Sequence, residues 1–263
     1  MTKAVGVIPA RWASTRFPGK PLHPIAGKPL LQHVWERCRR VRSLDSVIVA
    51  TDDMRIAEAA FIWGAEVALT SPRHRSGTDR VAEVLRHAKQ FGLVINIQGD
   101  EPLVEAGLID RLVKKLRSDP DIHMVTAAHP FSNPKDALSP HQVKVVVDKN
   151  GRALYFSRAA IPAYAASAVG ERSIPAAAGP MPRRYLRHQG IYGFRRELLL
   201  QFVRWKPSPL ERTESLEQLR ALENGVSVHV LVTKHGSPGV DTPQDAKNLE
   251  RSVRYRVDSS SHR

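Results

Sequence analysis

Three cations, Arg11, Arg16 and Lys20, lie close together in the sequence, directly after the first apolar run of the chain. The small residues Ser14 and Gly19 lie among them and give a ligand access to the backbone. Arginine can bind phosphate oxygens through paired hydrogen bonds, and lysine supplies a compact charge. We therefore predict a loop that binds a triphosphate. The loop lacks the glycine patterns of P-loops and dinucleotide-binding folds, and a solvated basic surface loop is the alternative.

Two acidic segments, far apart in the sequence, could hold a cation. Asp100 and Glu101 follow the apolar run at 94–98, and Asp241 follows a later run. Mg²⁺ commonly takes one or two protein carboxylates and completes its shell with phosphate oxygens and water. Asp241 also precedes Pro243, which is typical of a helix N-cap, and the two roles are compatible.

The pattern of the first half predicts the elements that position these residues. Continuous apolar runs separated by helical patterns predict a doubly wound, Rossmann-like α/β core with a mostly parallel sheet covered on both faces. Ligands of such sheets bind beyond the carboxyl ends of the strands, where the basic loop and Asp100 lie. Asp52 and Asp53, after the second strand, are predicted to cap the next helix. We predict strands at 5–9, 46–51, 67–69, 94–98 and 124–127, and helices at 30–41, 55–63, 79–87 and 106–117.

The second half predicts a smaller, β-rich part. A β-hairpin is expected around Asn150 and Gly151, between strands at 143–147 and 153–156. The stretch 163–184 is rich in Ala, Pro, Gly and Ser and predicts a long flexible loop. We further predict a strand at 191–194, a helix at 211–223, a strand at 226–232, a closing helix after Asp241 and a frayed tail from Arg256.

Composition narrows the class of protein. The chain has 263 residues, 42% of them hydrophobic, which is enough for a core. No run approaches the roughly 18 apolar residues of a spanning helix, no signal peptide is evident, and Cys38 fits a packing residue, so a cytoplasmic location is expected. The net charge of +14 favours polyanions such as nucleoside triphosphates. A nucleic-acid-binding module is the alternative, although the arginines are scattered without an aromatic-rich basic stripe.

Eight segments of the chain carry a resemblance to a known enzyme family. They are 8–22, 50–53, 74–80, 96–102, 153–158, 188–193, 216–220 and 239–243. Together they resemble the 3-deoxy-manno-octulosonate (Kdo) cytidylyltransferases, over residues 5–249. The basic loop is shared with other sugar nucleotidyltransferases, whereas Leu-Tyr-Phe-Ser-Arg at 154–158 and His-Gln-Gly-Ile-Tyr-Gly at 188–193 are more particular.

The resemblance implies transfer of CMP from CTP to the anomeric hydroxyl of Kdo, with release of pyrophosphate, to activate the sugar for lipopolysaccharide synthesis. It implies Mg²⁺ as the cofactor and a homodimer that binds no nucleic acid and does not insert into membranes. By position, the nucleotide-binding residues would be Ala10, Arg11, Ser14, Arg16, Lys20, Ser76, Gly77 and Asp100. The sugar-binding residues would be Gln98, Arg158, His188, Tyr192 and Glu211. Asp100 and Asp241 would bind the metal, and Lys20, Arg16, Asp100 and Asp241 would be catalytic.

Several of these positions also have a structural interpretation. Arg158 is typical of a surface arginine after a hairpin, His188 of a core histidine, and Tyr192 of a packing aromatic. Glu211 and Glu214 share a helical face and, without the resemblance, predict a solvated acidic surface. An alternative activity is transfer to another acidic sugar, 8-amino-Kdo or a sialic acid.

The resemblance also implies a single nucleotidyltransferase domain at 1–255. Residues 1–128 and 226–255 would mainly form its nucleotide-binding core, and residues 129–225 would form a sugar-binding and dimerisation part. Residues 256–263 are expected to be the frayed tail.

Overall fold

The structure is a computed structural model that describes residues 1–13, 17–163 and 185–260, with the backbone alone at 134 and 252–260. The strands are β1 (Ala4–Ala10), β2 (Pro24–Ile25), β3 (Lys28–Pro29), β4 (Ser46–Thr51), β5 (Glu66–Leu69), β6 (Leu93–Asn96), β7 (Met124–Pro130), β8 (Lys144–Val147), β9 (Ala153–Ser157), β10 (Leu186–Arg195) and β11 (Val228–Val232). The helices are α1 (Leu30–Cys38), α2 (Met54–Ile62), α3 (Gly77–His87), α4 (Ala106–Ser118), α5 (Arg196–Phe202), α6 (Pro209–Glu214), α7 (Leu219–Glu223) and α8 (Pro243–Ser260).

The chain divides into two units. The first comprises Met1–Ser118, Gly193–Val203 and Ser237–Arg263, and the second comprises Asp119–Tyr192 and Arg204–Gly236. This division differs from the predicted one, which grouped β7 and β11 with the nucleotide-binding core. The two strands pair with each other in parallel, from Met124 opposite Val228 to Ala128 opposite Val232, and both belong to the second unit.

The first unit contains the predicted parallel sheet. Its strands run in the order β6, β1, β4, β5, and every pair is parallel. Val5, Val7 and Ile8 of β1 are fully buried although they alternate between faces, so both faces of this strand are covered. The predicted α/β fold class is confirmed. Cys38 is buried, as expected of a packing residue, and burial raises the pKa of its thiol to about 12.

The second unit contains the predicted hairpin, formed by the antiparallel strands β8 and β9. Asp148 shapes its turn, since Oδ1 accepts from the backbone N–H groups of Asn150 and Arg152 at 2.8 Å each. Gly151 follows with a φ of 78°, a conformation that glycine adopts without steric cost. On its other side β8 pairs with β10, Val145 lying opposite Leu186.

One predicted helix is wrong: residues 211–223 form two short helices, α6 and α7. Ser208 and Glu211 form a capping box at the start of α6, and Ser215 ends that helix with a φ of 53°. Leu216 then becomes buried. The left-handed residue breaks the periodicity, and it lets a core contact follow directly after an exposed helical turn.

Other predicted boundaries also differ from the structure. β10 starts at Leu186 rather than at 191, and α8 continues to Ser260, past the start of the predicted tail. Asp53 caps α2 as predicted, whereas Asp52 instead pairs with Arg80 at 3.1 Å. The flexible loop predicted at 163–184 lies, apart from residue 163, outside the described residues. No helix within the described ranges is both long and apolar enough to cross a membrane.

Candidate active site

A cavity of about 280 Å³ lies in the first unit, beyond the carboxyl ends of β1 and β6. Several of the predicted nucleotide-binding residues line this cavity, as do Gln98 and Asp241. Ser14 and Arg16 of the basic loop lie outside the described residues. The residues around the cavity are Pro9, Ala10, Arg11, Lys20, Pro21, His74, Arg75, Ser76, Gly77, Arg80, Gln98, Gly99, Asp100 and Asp241.

Lys20 connects the basic loop to both acidic segments. Its Nζ donates to Asp100 Oδ2 at 2.6 Å and to the Val240 carbonyl at 2.9 Å, and it lies 3.6 Å from Asp241 Oδ1. The Val240 N–H also donates to the Asp100 carbonyl at 2.9 Å, which joins the two acidic segments directly. The structure therefore brings Lys20, Asp100 and Asp241 together at one point.

Gly19 gives the basic loop the backbone conformation that aims Lys20. It adopts a φ of 69° directly before the short 3₁₀ turn Lys20–Leu22, and its N–H donates to the Trp12 carbonyl at 3.3 Å. A Cβ at this position would lie 3.1 Å from the Trp12 ring. Both the left-handed φ and the close approach favour glycine here.

Asp241 is not the N-cap of α8, so that part of the sequence prediction is wrong. Thr242 takes the cap, because its Oγ1 accepts from the Asp245 N–H at 3.2 Å. Asp245 Oδ2 in turn accepts from the Thr242 N–H at 2.8 Å. With the cap supplied by its neighbour, the Asp241 carboxylate faces Lys20 and keeps 56% of its side-chain surface exposed.

The carboxylates of Asp100 and Asp241 form a donor set that suits Mg²⁺. Both approach the same ammonium group, so their oxygens already surround one centre of positive charge. No group of three or more His, Cys, Asp or Glu side chains in the described part of the chain is arranged to hold a metal. Two carboxylates are nevertheless a sufficient protein contribution where phosphate oxygens and water complete the shell.

The start of α3 forms another part of the cavity lining. Ser76 and Asp79 make a capping box, and Gly77 allows the helix to begin against β1, since a Cβ there would lie 3.1 Å from the Pro9 ring. The positive end of the helix dipole therefore faces the cavity and favours an anionic ligand. Ser76 and Gly77, two of the predicted nucleotide-binding residues, line the cavity at this helix start.

The predicted sugar residues other than Gln98 belong to the second unit. His188 stacks edge-on against Phe156, with ring centroids 5.0 Å apart, and its Nε2 lies 3.0 Å from Thr126 Oγ1. Burial lowers the pKa of His188 to about 3, so the ring is neutral at physiological pH. The ring centroid of Tyr192 lies 5.3 Å from that of His188. Burial, together with the charge of Glu217, raises the pKa of the Tyr192 hydroxyl.

Arg158 is held by backbone carbonyls. Its Nε donates to Glu214 O at 2.8 Å, Nη1 to Pro140 O at 3.1 Å and Nη2 to Ser215 O at 3.4 Å. The Glu214 carboxylate accepts from Ser157 Oγ at 2.6 Å and from the Arg158 N–H at 2.9 Å. Glu214 is therefore a structural acceptor rather than part of a solvated acidic surface.

Glu211 is likewise engaged within the second unit. Arg220 donates to both of its carboxylate oxygens, at 2.8 Å and 2.5 Å, and Glu211 also accepts from the Ser208 N–H at 3.0 Å. The prediction of a solvated surface is wrong here too. The charge of Glu217 lies near Tyr192.

Comparison with known proteins identifies the family. A family model described as cytidylyltransferase matches residues 5–229. A 3-deoxy-manno-octulosonate cytidylyltransferase of Pseudomonas syringae pv. tomato is 50% identical over 252 residues, which cover 93% of this chain and 96% of the relative. This chain belongs to that family. A relative of the same name from Geobacter metallireducens is 44% identical and covers 97% of this chain and 100% of its own.

Solved structures agree with this family membership. CMP:2-keto-3-deoxy-manno-octonic acid synthetase complexed with CTP superposes with a TM-score of 0.88 at 40% identity, covering 97% of this chain and all of the other. A cytidylyltransferase of Leptospira borgpetersenii, 17% identical with a TM-score of 0.64, shows that the fold extends to distant proteins.

Arg80 and His74 are among the cavity residues to which the sequence analysis gave no role. Arg80 is buried, donates to Thr70 Oγ1 and pairs with Asp52, so it ties α3 to the ends of β4 and β5. His74 forms a short hydrogen bond with Glu83. Both belong to the segment at 74–80 that carried the resemblance, but only a folded structure brings Asp52 and Glu83 to them.

The neutral state of His188 predicts an acid-sensitive stability. The unfolded chain protonates this ring near its ordinary pKa of 6.5, whereas the folded protein does so only near 3, so acidification between these values favours unfolding. For this one group, the loss of unfolding free energy from pH 6.5 to 5 should be roughly 1.5 kcal/mol. Urea denaturation at both pH values should show that His188→Gln loses less unfolding free energy than the parent on acidification, by about this amount. His141→Gln, at an exposed position, should lose as much unfolding free energy between pH 6.5 and 5 as the parent. An equal loss in all three proteins would contradict the prediction.

Proposed function

We propose that this protein transfers CMP from CTP to the anomeric hydroxyl of 3-deoxy-D-manno-octulosonate, giving CMP-Kdo and pyrophosphate. The observation that carries the proposal is the contact of Lys20 with two acidic segments that line the same cavity. Family membership supplies the identity of the substrates. The product would serve lipopolysaccharide synthesis, made by a cytoplasmic homodimer.

Neutralisation of charge is the main task of the residues around the nucleotide. The triphosphate and the carboxylate of the sugar acid repel each other, and the reacting atoms must approach to about 3 to 3.5 Å. Arg11, Arg16 and Lys20 would offset the triphosphate charge. The N-terminus of α3 would add the partial positive charge of its helix dipole. The sugar hydroxyl oxygen would then attack the α-phosphorus in line, forming one P–O bond as the bond to pyrophosphate breaks. The hydroxyl proton would be released to water.

We propose Mg²⁺ as the cofactor, bound by Asp100 and Asp241. When bound, it would neutralise phosphate charge and polarise the α-phosphate. The hydrogen bond from the Val240 N–H to the Asp100 carbonyl joins the two acidic segments that would bind the ion. Lys20, paired with Asp100, would deliver its charge beside the same phosphates.

The sugar acid would bind through Gln98, Arg158, His188, Tyr192 and Glu211. Arg158 suits its carboxylate by charge and by its planar donors. The neutral ring of His188 and the un-ionised hydroxyl of Tyr192 suit sugar hydroxyl groups, because each can take part in uncharged hydrogen bonds. Glu211 has the least room for a ligand, since Arg220 already binds both of its oxygens.

A substrate matrix tests the proposal. Pyrophosphate release would be measured with Mg²⁺ for each of the four nucleoside triphosphates against Kdo, 8-amino-Kdo and a sialic acid. We expect turnover with CTP and Kdo, and little or none with ATP, GTP or UTP. Turnover confined to 8-amino-Kdo or a sialic acid would replace the sugar assignment. No pyrophosphate release from CTP with any of the three sugar acids would overturn the proposed function.

A further inference from the structure

Lys144, at the start of β8, is a lysine without surface exposure. Its Nζ donates to three backbone carbonyls: Ser139 O at 2.9 Å, Gln142 O at 2.6 Å, and Arg158 O through a short bond. Within the described residues, no carboxylate oxygen lies within ion-pair distance of it. This ammonium is thus a buried cation that binds only main chain.

Such a residue is costly for the fold. An ammonium loses its hydration on burial, and a methionine of similar length would fill the space without that penalty. Burial lowers the pKa of Lys144, the nearby Glu214 opposes this, and the cationic Arg158 adds to it. Lys144, Arg158 and Glu214 together carry one net positive charge, which favours an anionic ligand close by.

The three carbonyls are positioned around Arg158. One belongs to Arg158 itself, and those of Ser139 and Gln142 flank Pro140, whose carbonyl accepts from Arg158 Nη1. Lys144 therefore fixes the distance between the backbone of Arg158 and one of the acceptors that orient its guanidinium. Removing the ammonium would release both at once.

The guanidinium itself retains capacity for a ligand. It has five N–H groups, and its three bonds to carbonyls use one each on Nε, Nη1 and Nη2. One N–H on each of Nη1 and Nη2 is left by these bonds. N–H groups left on the terminal nitrogens can donate to the oxygens of a carboxylate.

We propose that Lys144 is a positioning residue for the sugar acid, whose ammonium fixes Arg158 so that its remaining N–H groups can bind the substrate carboxylate. This inference rests on the proposed function and deepens it. Lys144 touches no substrate in this assignment, and it acts through Arg158. Loss of Lys144 should therefore weaken binding of the sugar acid and leave binding of CTP unchanged.

The test is a comparison of KM values for the two substrates in Lys144→Met. We expect KM for Kdo to rise about tenfold or more, the scale for losing one charged hydrogen-bonding group, and KM for CTP to stay within about twofold. Lys149→Met removes an exposed lysine of the same unit, and both of its KM values should match the parent.

A second variant covers the case in which Lys144→Met fails to fold. Glu214→Gln keeps its shape and its backbone carbonyl but weakens the acceptor for Ser157 and the Arg158 N–H. It should show the same selective rise in KM for Kdo. Equal rises for both substrates, or a loss of thermal stability with unchanged KM for Kdo, would overturn the inference while the parent stays active. A parent that turns over no sugar acid would overturn the proposed function and this inference with it.

Discussion

Asp100→Asn is expected to lower kcat by about a hundredfold or more while the protein stays folded. Asparagine has the same shape, so the bond from the Val240 N–H to the backbone carbonyl of residue 100 can persist. The side chain, however, loses the charge that pairs with Lys20 at 2.6 Å and that would bind Mg²⁺. Measurement requires kcat at saturating CTP and Kdo across a Mg²⁺ titration, together with the melting temperature.

The control for this variant is Glu58→Gln, an exposed acid on α2 of the same unit. It removes the same charge from the unit without touching the cavity, so its kcat should equal that of the parent. Near-normal turnover of Asp100→Asn at saturating Mg²⁺ would remove Asp100 from the proposed metal site. A large fall in melting temperature would instead assign it a structural role.

The parallel core was predictable because its signal is local. The central strands β1 and β6 are mainly apolar runs that are buried along almost their whole length, and burial on both faces imposes that pattern regardless of partners. The predicted strand at 46–51 matches β4, and the predicted helix at 106–117 ends one residue short of α4. Because parallel strands share a carboxyl end, the same reasoning placed Lys20 and Asp100 near each other.

The second unit was less predictable because its decisive contacts are not local. The break at Ser215 depends on where Leu216 is buried, and the role of Glu211 depends on Arg220 reaching back across that break. Helical spacing alone therefore merged α6 and α7. Lys144 gave no signal either, since a lysine at the edge of a valine run usually predicts a solvated end of a strand.

The sugar assignments were reached through resemblance, whereas the acidic pair for the metal was also predicted from the residues themselves. The structure adds physical constraints to both. Asp241 showed both a capping and a ligand pattern in the sequence, and Thr242 removes the first. Arg158 showed the pattern of a surface arginine, yet backbone carbonyls hold it on three nitrogens. Residue types in the sequence indicate which chemistry is available. Only the folded structure shows which side chains are already hydrogen-bonded to other residues.

Lys20→Ala is expected to cost about a hundredfold or more in kcat, the scale for losing one preorganised charge contact. The ammonium is 15% exposed and bonds both the Asp100 carboxylate and the Val240 carbonyl, so its removal leaves the two acidic segments facing each other without a cation. Their repulsion should also make the variant more dependent on Mg²⁺ for stability, which melting curves with and without Mg²⁺ would show. Lys28→Ala, which removes a half-exposed lysine paired with Glu36, should retain parental turnover. Activity of Lys20→Ala within a few-fold of the parent would refute the phosphate-binding role of the loop.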